Sequence, residues 1–317
     1  MARVTPRRVG LIGHPVDHSR SPAMQQAAFD ALRLDVRYEL WDTTNGDVRR
    51  RVEALHDPVM LGANVTIPHK LAVIPFLDNL SSNARYIAGA VNTIVREESP
   101  HGVRLVGHNT DTTALLRILD EQRVWRPEMR ALVLGAGGAA QAALGAILMR
   151  GGQPWVAARK RSAARAALES LYARRDDSGR DATVTASGHF PTVAVATPDR
   201  IKSYALPLDD IDAIANALSE TRLLINATPI GTRDPHAAPI PIDLLRRLPR
   251  DAFVLDLVYN PPETALVRAA HAVGLRATGG LSMLLYQGAA AFTLWTAYEA
   301  PLAVMRAALE ASLQAEG

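Results

Sequence analysis

Residues 131–140 read Ala-Leu-Val-Leu-Gly-Ala-Gly-Gly-Ala-Ala, a hydrophobic strand running into a glycine turn and then into an alanine-rich helix. The pattern is G-x-G-x-x-[GA], beginning at Gly135 with Ala140 in the last place. Gly135 permits the tight turn and Gly137 lets the backbone approach a pyrophosphate. Ala140 is small enough for the helix to pack on the sheet. Unpaired N–H groups at the helix start then bind phosphate. A lone glycine triplet is weak evidence; the strand–turn–helix context makes it a dinucleotide signal.

The same unit bears on which dinucleotide it takes. An NAD site usually places Asp or Glu on the ribose about 20 residues after the first glycine. From Gln141 to Leu168 there is no carboxylate. The second strand ends instead in Arg159-Lys160-Arg161-Ser162. Guanidinium groups pair bidentately with phosphate, so the cluster suits the 2′-phosphate of NADP. Basic side chains are unfavourable at a helix N-terminus, which itself points to an anion there. The expected cofactor is NADP(H).

Outward from this unit, strand-like runs alternate with helical spacing. Val9–Ile12, Val36–Trp41, Leu61–Val65, Val91–Val95 and Val103–Val106 read as strands, with Pro22–Leu32 and Gly46–His56 helical between them. A second series has strands at Ala131–Leu134, Pro154–Ala157, Leu223–Asn226 and Phe253–Leu257. Its helices are Gly138–Arg150, Ser162–Arg174 and Glu263–Val273, and the chain ends in two more, Met283–Tyr298 and Leu302–Gln314. Alternation of this kind predicts βαβ units and parallel sheets. The expected fold class is α/β in two domains. An N-terminal α/β substrate domain, residues 1–112, is completed by 274–317. A Rossmann-type doubly wound NADP-binding domain spans 113–273, and the C-terminal helices return to the first domain. The polar stretch Arg174–Thr192 reads as a surface excursion.

Composition narrows the functional classes. The 317 residues are 48% hydrophobic and 21% charged, which excludes wholesale disorder. Net charge is +3, with no basic stripe or aromatic platform for nucleic acid. No cysteine is present, so disulfides, cysteine zinc sites and thiol nucleophiles are excluded, as fits a reducing compartment. The N-terminal apolar run is too short for a signal peptide. Ala131–Met149 and Ala277–Tyr298 lack charge but carry glycines and polar residues, so they read as buried elements of a cytoplasmic protein rather than membrane spans. His14 and His18 lie four apart in a strand–turn segment without a third ligand, so no metal is expected. A homodimer is the default oligomer.

The first domain has no phosphate loop, G-x-S-x-G or HExxH; it has polar residues at strand ends. Ser19 and Ser21 lie in HSRSP, Asn64, Thr66 and Lys70 in NVTIPHK, Asn92 in GAVNT, and Asn109 and Asp111 in GHNTD. Singly each has an ordinary explanation: Ser21-Pro22 as a helix cap, Asn109-Thr110-Asp111 as a capped turn, Lys70 as a solvated lysine.

Together they resemble the shikimate dehydrogenase family. HSRSP is similar to its serine pair for the substrate carboxylate, NVTIPHK to its catalytic-lysine segment, GAVNT to its substrate asparagine and GHNTD to its catalytic aspartate. The likeness continues in order through GAGGAA, NATPIG (226–231), DLVYNP (256–261) with Thr264, then Gly280, Met283-Leu284 and Gln287. The resemblance implies Lys70 and Asp111 as catalytic residues. It implies Ser19, Ser21, Asn64, Thr66, Asn92, Tyr259 and Gln287 as substrate contacts. Gly135, Ala136, Gly137, Gly138, Ala139, Arg159, Lys160, Thr228, Leu257 and Gly280 would hold the cofactor, and no metal is implied. Met24-Gln25-Gln26 and the ending FTLWT lean towards a branch that also accepts quinate, with dual substrate or NAD use the alternative. Ala158-Arg159-Lys160 departs from the family's Asn-Arg-Thr, and Thr232 and Ser282 from its usual residues. A non-catalytic ligand-binding regulator is the alternative from another class; the presence of both Lys70 and Asp111 argues against it.

The implied chemistry is reversible hydride transfer between 3-dehydroshikimate and shikimate. Removing a hydroxyl proton as hydride leaves the same carbon calls for a positioned acid–base group. A site that hydrogen-bonds ring hydroxyls rejects analogues lacking them, because its buried polar groups are left unpaired.

Overall fold

The structure, a computed structural model, describes residues 5–100, 102–176 and 204–315. The chain forms two compact units, one of Met1–Arg85, Ala90–Ala114 and Leu284–Gly317, the other of Tyr86–Gly89 and Leu115–Met283.

The first unit is built on a six-stranded sheet. Its strands are β1 (Arg7–Gly13), β2 (Val36–Asp42), β3 (Met60–Val65), β4 (Asn79–Leu80), β5 (Thr93–Ser99) and β6 (Gly102–His108), in the order β2-β1-β3-β5-β6-β4. Pairing is parallel from β2 to β3 but antiparallel from β3 to β5 and from β5 to β6. The sheet is therefore mixed, where the alternating pattern predicts parallel pairing. The short connection closed by the Ser99–Gly102 pair is the cause, since only antiparallel neighbours can be joined so tightly.

Helix α1 (Ser21–Ala31) starts on Ser21-Pro22, with proline in the first turn where its missing N–H is harmless. The expected helix over 46–56 is shorter: α2 covers Val48–Glu53 between two 3-10 turns. One core cluster joins Ile12, Trp41, Val52, Val65, Ile94 and Leu105. Helix α3 (Asp111–Gln122) follows β6.

The second unit is an all-parallel sheet of β7 (Arg130–Leu134), β8 (Gln153–Ala158), β9 (Ala205–Pro207), β10 (Leu223–Asn226), β11 (Phe253–Asp256) and β12 (Arg276–Thr278). Numbered from β7, the spatial order is 3-2-1-4-5-6, the Rossmann arrangement. Helices α4 (Gly138–Met149), α5 (Arg161–Asp176), α6 (Ile211–Glu220) and α7 (Ala265–Ala272) alternate with the strands. Strands β9 and β12 and helix α6 are additions to the sequence reading. Both strands are three residues long, too short to show a period, and β12 places residues 276–278 in this sheet rather than with the chain's C-terminal part. Asp210 and Thr264 cap α6 and α7 by accepting from Ala213 N and Val267 N. The Arg174–Thr192 excursion lies outside the described residues from 177 onward.

The last helices are α8 (Leu281–Thr296) and α9 (Leu302–Gln314). In the first unit α9 packs on α1, the ring centroids of Phe292 of α8 and Phe29 lie 5.0 Å apart, and the Trp295 indole donates to Ile94 O at 3.0 Å.

Candidate active site

In the first unit, Lys70 and Asp111 meet. Lys70 Nζ donates to Asp111 Oδ2 at 2.5 Å, with the two side chains 14% and 6% exposed. Lys70 follows β3 after a short turn, and Asp111 is the first residue of α3, so two strand ends supply the pair. Asn92 Nδ2 donates to Asp111 Oδ1 at 2.8 Å, while Asn92 Oδ1 accepts from the Thr110 N–H at 2.8 Å. Asn64, on β3, donates through Nδ2 to Thr93 Oγ1 at 3.2 Å and to the Asn92 carbonyl at 3.3 Å. Asn64 Oδ1 accepts from the Tyr38 hydroxyl at 2.8 Å. Lys70, Asp111, Asn92 and Asn64 are thus members of one hydrogen-bonded chain.

Ser19 and Ser21 form a separate pair at the end of β1, with the Ser21 N–H donating to Ser19 Oγ at 3.2 Å. Thr66 directly follows β3, its N–H donating to Ile12 O at 2.8 Å; this holds it beside the end of β1. Gln287 lies on α8, where its Nε2 donates to Leu284 O at 2.9 Å. Among the described residues no hydrogen bond joins Ser19, Ser21, Thr66 or Gln287 to the Lys70 chain. His14 and His18 pair with Asp42 and Asp17, and no group of three His, Asp or Glu among the described residues could hold a metal.

The second unit carries the nucleotide features. Gly135 directly follows β7 with φ +112°, and a Cβ there would come to 3.0 Å from Ala227 O. The positive φ favours glycine, and the close approach of Ala227 would crowd a larger residue. Its N–H donates to Ala157 O, at the end of β8, and Ala227-Thr228 follows β10 on its other side. The turn therefore sits where the strand order reverses, the crevice in which such sheets bind ligands. Gly137 is exposed, and a Cβ on it would meet nothing within 4 Å, so the space before α4 is open. Gly138, Ala139 and Ala140 begin that helix with N–H groups that have no partner within it, and its first turn has no acidic residue. Ala136 is the middle residue of the turn. These features fit a pyrophosphate.

Arg159 and Lys160 are exposed, two and three residues beyond Ala157, directly before α5. Thr228 is held by its own strand end, its Oγ1 donating to Asn226 Oδ1 at 2.7 Å. Gly280 lies against Leu257, whose carbonyl a Cβ would strike. Tyr259 lies in the same loop after β11.

The NATPIG and DLVYNP segments meet at one further cluster, around Asp256. Asp256 is fully buried and accepts from Asn226 Nδ2 at 2.8 Å, Val258 N at 3.0 Å and Thr264 Oγ1 at 2.6 Å. Burial pushes its carboxyl above the usual aspartate value, and the three donors oppose that rise. The carboxylate ties the ends of β10 and β11 to the cap of α7. Tyr38, Thr93 and Thr110 were missed in the sequence; Thr110 stands inside GHNTD, but Tyr38 is one inward residue of an ordinary strand.

A Rossmann sheet with an open glycine turn and a lysine–aspartate pair ringed by carboxamides and hydroxyls are the two parts of a nicotinamide-dependent dehydrogenase. Family models agree. Residues 11–94 match the shikimate dehydrogenase substrate binding domain and residues 280–310 the shikimate 5'-dehydrogenase C-terminal domain. The NADP(+) shikimate dehydrogenase of Symbiobacterium thermophilum is 37% identical over 98% of this chain and 96% of its own. The crystal structure of shikimate 5-dehydrogenase from Thermus thermophilus with NADP(H) and shikimate superposes with a TM-score of 0.76 at 34% identity, covering 97% of this chain and 100% of that one. Quinate dehydrogenase from Corynebacterium glutamicum with NAD gives 0.77 at 28% identity, over 96% and 99%. The chain belongs to the shikimate dehydrogenase family.

Proposed function

We propose that the chain catalyses the reversible NADP-dependent oxidation of shikimate to 3-dehydroshikimate. The observation that carries this reading is the Lys70–Asp111 pair, positioned by Asn92 and chained to Asn64 in a chain of this family. Bound NADP⁺ would supply the hydride acceptor for the carbinol carbon. Gly135, Ala136, Gly137, Gly138 and Ala139 would cradle its pyrophosphate, Arg159 and Lys160 its 2′-phosphate, and Thr228, Leu257 and Gly280 would line the approach to the rest.

Lys70 is the acid–base group. In reduction its ammonium gives a proton to the substrate oxygen as the carbonyl becomes an alcohol. In oxidation the neutral amine takes that proton back, so hydride and proton both leave the substrate. Asp111 holds the Nζ in place through the hydrogen bond at its Oδ2. Ser19, Ser21 and Thr66 offer hydroxyls to the substrate carboxylate, Asn64, Asn92 and Gln287 meet ring hydroxyls, and Tyr259 adds a contact. The proposal includes a cytoplasmic location and small molecules as partners.

The test is direct. Purified protein mixed with shikimate and NADP⁺ should develop the reduced-nicotinamide absorbance and yield 3-dehydroshikimate on product analysis. No absorbance change at saturating substrates would refute the reading. Saturable binding of both without turnover would favour a regulator instead.

A further inference from the structure

We infer that Tyr38 is a positioning residue, whose hydroxyl fixes the Asn64 carboxamide as a hydrogen-bond acceptor for a substrate hydroxyl. The inference rests on the functional reading above and deepens it. The polarity of the hydrogen bonds fixes the orientation of Asn64. The Asn92 backbone carbonyl can only accept, so the group of Asn64 that faces it, 3.3 Å away, must be the NH₂. The Asn64 Oδ1 then faces the Tyr38 hydroxyl at 2.8 Å, and Tyr38 must be the donor. The far end of the chain has the same fixed sense, since the Thr110 N–H holds Asn92 Oδ1 and the Asp111 carboxylate holds Asn92 Nδ2.

This leaves Asn64 little freedom. Both its N–H bonds are directed inward, to Thr93 Oγ1 and the Asn92 carbonyl, and one lone pair of Oδ1 is taken by Tyr38. Its remaining capacity is the second lone pair, so a ligand group meeting Asn64 must be a donor: a hydroxyl, not a ketone or ether oxygen. Asn64 is 4% exposed and Tyr38 7%, so water competes poorly for these bonds. The Tyr38 ring is held independently, 6.4 Å between centroids from Trp295, so removing the hydroxyl alone leaves its packing in place.

Steady-state kinetics of Tyr38→Phe, Asn64→Ala and the double variant test this, with the melting temperature and NADP⁺ affinity of each measured alongside. Tyr38→Phe should raise KM for shikimate roughly tenfold with a smaller change in kcat, and leave NADP⁺ affinity unchanged. In the Asn64→Ala background the same substitution should change KM less than about twofold, because Tyr38 acts through Asn64. An active wild type with an unchanged KM in Tyr38→Phe would overturn the inference alone. So would full additivity in the double variant, which assigns Tyr38 a purely structural role. A wild type inert towards shikimate and NADP⁺ would overturn the functional reading and this inference with it.

Discussion

Replacing Lys70 by alanine and, in parallel, by arginine separates the two things its ammonium does. The Nζ lies 2.5 Å from Asp111 Oδ2, and both side chains are largely removed from water. As an acid–base group it is worth a factor of about 10² to 10⁴ in rate, or roughly 3–5 kcal/mol of barrier. Its loss also leaves the Asp111 carboxylate buried without its cation. Breaking a buried pair costs about 3–5 kcal/mol. Asn92 Nδ2 still donates to Asp111, and Lys70 is partly exposed, so about 1–3 kcal/mol is expected. Lys70→Arg restores the charge but stays protonated throughout the working range. The assay is initial rate against shikimate concentration, followed at the nicotinamide band, with thermal melting beside it. Lys70→Ala should lose both rate and stability, with substrate affinity still measurable, and Lys70→Arg should recover stability without rate. Near-normal kcat in either variant refutes the acid–base assignment.

Arg159→Ala should raise KM for NADP⁺ roughly ten- to a hundredfold, the worth of a charge-assisted bond, and leave that for NAD⁺ unchanged; equal effects on both would remove the 2′-phosphate from its role. Gly135→Ala puts a side chain at φ +112° and 3.0 Å from Ala227 O, so NADP⁺ titration should show weakened binding while the shikimate dissociation constant, measured by calorimetry, holds. Asp256→Asn tests the buried carboxylate by pH. Because burial raises its pKa above 3.8, the native state holds this proton more tightly than the unfolded chain. Its contribution to stability is fullest below 3.8 and is lost as pH rises through the raised native value. The melting temperature of Asp256→Asn minus that of wild type should therefore climb with pH across that window and then level off; a flat difference contradicts the assignment.

The Rossmann sheet was largely legible because its signals are local. The strand before Gly135, the glycine turn and the alanine-rich helix each act within a few residues, and their order alone specifies the binding end. The first unit's sheet was harder. Whether β6 runs with or against β5 depends on the connection around residues 99–102, and apolar alternation is the same in either direction. Lys70 and Asp111 stand 41 residues apart, and nothing in their own segments pairs them; the pairing came from resemblance and the distance from structure. Tyr38 was not legible at all. A tyrosine facing the core of a strand looks like packing until its hydroxyl is found on Asn64.

The central claim, NADP-dependent turnover of shikimate, is tested most directly by kcat/KM for shikimate and quinate crossed with NADP⁺ and NAD⁺. Shikimate with NADP⁺ should give the highest value, exceeding NAD⁺ by roughly the ten- to a hundredfold expected of the Arg159 contact. Equal or faster turnover of quinate, or a preference for NAD⁺, would contradict the account and place the chain with the broader enzymes of its family.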